Sequence, residues 1–94
     1  MDGQRLINET VRIAGLKNAA ELARVLGLSH GAMHHWKAGT SWPDATTAAR
    51  IAVLQGREPL AGIAAVELQR NRDNPDAVRF WEAQLRNVRE FILC

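Results

Sequence analysis

The sequence is poor in residues that cross-link, span or catalyse. It has one cysteine, Cys94, so no disulfide framework can form within a single chain, which fits a reducing cytoplasm. No apolar run approaches the ~18 residues that a membrane-spanning helix needs, so no membrane partner is expected. The first residues lack the charged start and apolar core of a secretory signal. Runs of β-branched residues are missing, which argues against strands. No repeat, low-complexity segment or long linker appears. Acidic residues do not pair in any motif, no glycine-rich loop is present to cradle a phosphate, and no serine or cysteine has a credible base. The expectation is therefore a non-enzyme without cofactors.

The chain has 94 residues, 47% of them hydrophobic, enough for one domain with a modest core. Its formal charge is only +2, but the placement is uneven. Residues 1–55 carry six Lys/Arg against four Asp/Glu, whereas residues 56–94 carry six of each. The whole excess lies in the first half, together with His30, His34 and His35. A phosphate backbone attracts such a distribution.

The pattern is all-α, with five to six helices. Leu6, Ile7, Val11 and Ala14 recur at helical spacing in residues 4–14. Asn18 caps a second helix, with Glu21 placed to complete a capping box. Leu22, Ala23, Val25 and Leu26 form its inner side, and Gly27 stops it. Ser29 caps a third helix ending at Gly39, with Met33 and Trp36 inward. A fourth runs from Asp44 to Leu54, with Ala48, Ile51, Ala52 and Leu54 available to the core. Pro59 opens a fifth through Leu60, Ile63, Ala64, Val66 and Leu68. Pro75 and Asp76 open a sixth that reaches Phe91.

The informative stretch runs from Leu22 to Gly39. Two short helices crossing at about 90–120° need a small residue where they touch, a glycine at the turn, an apolar plug, and apolar residues holding the second helix down. Ala23, Gly27, Leu28 and the pair Met33 and Trp36 supply these. On Leu22-Ala23, Gly27-Leu28-Ser29, Met33, Trp36, Gly39 and Pro43, residues 4–55 resemble the helix-turn-helix domain of the Cro and phage-repressor (XRE-like) superfamily. That resemblance implies a lambda-repressor-like DNA-binding domain over residues 1–56. Residues 57–94 would then be a C-terminal helical extension of the same compact unit.

The resemblance also implies roles for individual residues. Its second motif helix, 29–38 here, enters the major groove of double-stranded DNA. Base contacts fall to His30, Gly31, His34 and His35. Histidine donates to guanine or accepts from adenine but lacks the two-pronged grip of Arg or Asn, and Gly31 reads nothing itself. Phosphate contacts fall to Asn18 and Ser29 at helix N-termini, and to Lys17, Lys37, Thr40 and Ser41. His30 and His34 also have metal-ligand spacing. A structural zinc needs about four ligands, and no Cys-x-x-Cys or acidic partner is near, so no metal is expected. Trp36 reads as core. Trp42 either packs over helix ends or lies on the DNA backbone.

The last helix carries a stripe of Val78, Trp81, Leu85, Val88 and Ile92, with Phe80 and Phe91 off it. A helix apolar on more than one side buries more than one face. One face would pack on the domain and the other on a second copy, and most such oligomers are two-fold dimers. The stripe is the expected dimer interface, because a dimer reads two half-sites about 34 Å apart. Residues 59–81, through Leu60, Glu67, Arg70 and Trp81, resemble a tail of small filamentous-phage regulators. The expected function is a phage or prophage transcription regulator that binds its operator as a homodimer. The alternatives are a protein-interaction module (anti-repressor or antitoxin-like, with a phage or host protein partner) and an excision or architectural DNA-binding protein.

Overall fold

Five of the six helices begin at a residue whose side chain accepts a hydrogen bond from the backbone N–H three residues on, Asn74 doing so for the last of them at 3.2 Å. The computed structural model describes residues 2–93, with side chains throughout except at His30 and residues 89–93. The elements are α1 (Gly3–Ile13), α2 (Ala19–Leu26), α3 (His30–Ala38), α4 (Ala45–Leu54), α5 (Pro59–Arg70) and α6 (Pro75–Leu93). No strand occurs among the described residues. Asp2, Asn18, Ser29 and Asp44 cap the first four helices at 2.8, 2.9, 3.3 and 2.8 Å. Each such cap stabilises its helix by about 1 kcal/mol. α5 begins with Pro59, whose missing N–H costs nothing in a first turn.

The capping box closes on one side only. Asn18 accepts from the Glu21 N–H, while the Glu21 carboxylate lies 3.9 Å from Arg24. At the other end of α2, Gly27 has φ 68°, a left-handed conformation that favours glycine. This lets Leu28 N–H reach back to the Ala23 carbonyl at 2.8 Å. The chain then turns directly into α3.

Helices α1 to α4 share one core. Leu6, Ile7, Leu22, Ala23, Leu26, Met33, Trp36 and Ile51 are buried in it, and Leu28 plugs the turn from its edge. Thr10 is buried but fully used: its hydroxyl donates to the Leu6 carbonyl and accepts from the Gln55 amide. The N-terminus of α1 meets the C-terminal part of α3 so closely that a Cβ on Gly3 would lie 1.9 Å from the Trp36 carbonyl oxygen.

The second half is joined to the first through α4 and α5. A Cβ on Gly62 would lie 2.2 Å from the Ala48 carbonyl oxygen and 2.7 Å from the Ala52 Cβ. Ala64 and Val66 of α5 are buried. Leu85 and Val88 of α6 border a cleft with Ala61 and Ala65 of α5. The whole measures 33 × 31 × 18 Å. No helix among the described residues is long and apolar enough to cross a membrane.

Two expected core residues lie outside the core. Val25 is 41% exposed, because the buried side of α2 centres on Leu22, Ala23 and Leu26 and Val25 is turned about 100° from it. Leu60 is also exposed, because it sits at the rim of the α5–α6 seam beside Asn87 and Val88.

Candidate nucleic-acid interface

Helix α3 has the core on one side and solvent on the other. Met33 and Trp36 are buried, which places Trp36 in the core as read from its spacing. Gly31, His34, His35, Lys37 and Ala38 are exposed. Residues 31, 34, 35 and 38 share one face at helical spacing. The side chain of His30 lies outside the described residues. No acidic residue occurs between Leu22 and Pro43, a span that holds Arg24, Lys37 and the three histidines.

Two histidines follow one another on this face with different surroundings. His34 borders a cleft between α2 and α3, with Ala19, Ala20, Ala23, Met33 and Lys37. His35 lies beside the loop that follows, its Nδ1 3.0 Å from the Thr40 hydroxyl oxygen. That hydroxyl also donates to the His35 carbonyl at 3.3 Å, and the Thr40 N–H donates to the same carbonyl at 3.0 Å. Which partner donates between Nδ1 and the hydroxyl follows the ring tautomer. The rings of His34 and His35 meet edge to face, with centroids 5.9 Å apart. The fold therefore brings together His35 and Thr40, which the sequence alone assigns to separate contacts.

The remaining candidates lie on helix ends and loops. Lys17, Asn18, Ser29, Lys37, Thr40 and Ser41 are all exposed. Asn18 and Ser29 use their side-chain oxygens as caps, which leaves the Asn18 amide and the Ser29 hydroxyl proton as donors. Among the described residues no cluster of three His, Cys, Asp or Glu side chains has the placement to hold a metal ion.

Two arginines to which the sequence assigns no contact in this region hold it in place. Arg50 of α4 donates to the carbonyls of Val25 and Leu26, closing the C-terminus of α2. Arg70 of α5 donates to the Pro43 carbonyl at 2.7 Å and the Trp42 carbonyl at 3.5 Å, and pairs with Glu67. Glu67 is held in turn by the Asn71 amide. Pro43 is fully buried and Trp42 half-buried, so the loop after α3 is held against the body of the domain. At its end, Asp44 caps α4. The hydrogen bonds of Thr47, from backbone and then side chain, outweigh partial desolvation, and with the Arg70 charge they hold the Asp44 carboxyl below the ordinary aspartate range.

Of the expected dimer stripe, Val88 is buried and Val78, Trp81 and Leu85 are half-buried within the single chain. The Ile92 side chain lies outside the described residues. Phe80 is 55% exposed and stacks edge to face on Trp81. Comparison with known protein families, curated proteins and solved structures found no match.

Proposed function

We propose that this chain is a sequence-specific DNA-binding regulator of the Cro and phage-repressor kind, acting in the cytoplasm by binding rather than by catalysis. One observation carries the reading: two short helices, joined by a left-handed Gly27, bury Ala23, Met33 and Trp36 and leave an exposed α3 face without acidic residues. An exposed helix of this kind suits the major groove of double-stranded DNA. His34 and His35, with His30, would meet base edges, and Lys17, Lys37, Asn18, Ser29, Thr40 and Ser41 would meet phosphates. No cofactor enters this reading.

The operator-bound form would be a homodimer joined through α6. Part of the Val78–Val88 stripe already serves the fold of one chain, and Phe80 on its flank offers a second copy an apolar contact. A protein-interaction module is the second reading, and the exposure of Phe80 is what favours it.

Selection of bound duplexes from random DNA tests the proposal. An enriched inverted repeat supports a dimeric sequence reader. A single half-site supports the reader without the dimer, and no enrichment supports protein binding instead.

A further inference from the structure

Six of the seven glycines answer to the fold. Four have φ between 68° and 75°, and Gly3 and Gly62 sit where a Cβ would strike backbone. Gly31 answers to neither. It lies in the first turn of α3, outside the left-handed region, and a Cβ there would meet nothing nearer than the Ser29 hydroxyl oxygen at 3.8 Å. Alanine would fit and would favour the helix more than glycine does. The glycine therefore weakens the helix at an exposed position where nothing among the described residues requires it.

We infer that Gly31 is the point where the bound duplex comes against the backbone of α3, so close that any side chain would hold the helix away. The inference rests on the DNA-binding reading and names the contact that sets its depth. The surroundings of Gly31 fit a nucleic acid better than a peptide. Its neighbours at helical spacing are His34 and His35, with Lys37 further along, and α3 exposes no large apolar side chain among its described residues. The first turn of α3 also presents the positive end of the helix dipole. Sites that trade fold stability for function have this signature: the residue that stabilises the fold weakens the binding.

The test compares wild type with Gly31→Ala and Gly31→Leu on a duplex enriched by selection and on a scrambled duplex. Melting of each variant alone shows whether it folds, and Gly31→Ala should melt about 2–4 °C higher. On the selected duplex Gly31→Ala should bind about tenfold or more weakly, and Gly31→Leu more weakly still. On the scrambled duplex, where the phosphate backbone dominates, the change should be smaller. Equal or tighter binding of Gly31→Ala to the selected duplex overturns this inference and leaves the DNA-binding reading standing. A wild-type chain that selects no duplex overturns both.

Discussion

The guanidinium of Arg70 donates to the carbonyl of Pro43 at 2.7 Å, across 27 residues of sequence. It also reaches the Trp42 carbonyl and pairs with Glu67. The end of α5 is thereby tied to the loop that follows α3, the loop that carries Thr40 and Ser41.

Replacing Arg70 should loosen that loop. Arg70→Ala leaves the Pro43 carbonyl without its charged donor and should cost about 1 kcal/mol, less than a fully buried bond to a charged group because Arg70 is partly exposed. Arg70→Lys should recover little, since an ammonium cannot span two carbonyls and a carboxylate as a planar fork does. Thermal melting checks both. A lysine variant as stable as wild type would show that charge alone suffices.

Gly62→Ala should be among the most damaging single-methyl changes in the chain. The added Cβ would meet the Ala48 carbonyl oxygen at 2.2 Å, so α4 and α5 must part. Overpacking of this kind costs about 1–3 kcal/mol. Denaturant unfolding should show a lower midpoint, and an unchanged midpoint would mean the two helices separate without penalty.

Asp44 predicts a dependence on acid. Its folded pKa lies below the ordinary value, chiefly because the carboxylate accepts from Thr47. Its contribution is therefore complete above the unfolded aspartate pKa, about 3.9, and is lost as pH falls through the lower folded value. Asp44→Ala should cost about 1 kcal/mol at neutral pH. The gap between variant and wild type should narrow below about pH 4. Melting curves taken from pH 7 to pH 3 measure it, and a constant gap would assign the stabilisation to something other than the carboxylate charge.

Lys37 and His35 should separate positioning from reading. Lys37→Ala should weaken binding to all duplexes alike and lower the salt slope by about one. His35→Ala should act mainly on the selected duplex, and Thr40→Ala should share in that loss because Thr40 holds Nδ1. Titrations at several salt concentrations distinguish these patterns. If neither Lys37→Ala nor His35→Ala changes binding, α3 is not the contacting helix.

What the sequence by itself determined is local. The caps at Asn18 and Ser29, the stops at Gly27 and Gly39, and the inward Met33 and Trp36 all depend on residues within about one helical turn. They were legible for that reason, and they place the exposed candidates on α3, its flanks and the start of α2. The tertiary structure decided what depends on distant backbone. Arg50 finds the end of α2, Gln55 finds Thr10, and Arg70 finds Pro43, across 24 to 45 residues. Val25 turns outward because helix packing chooses which part of an apolar face to bury. The same holds for the glycines: φ at Gly27 follows from its place after a helix, but Gly3 and Gly62 differ from Gly31 only through what lies opposite each of them. A carbonyl oxygen within 2.5 Å of a missing Cβ is a property of two packed helices, and no local pattern records it.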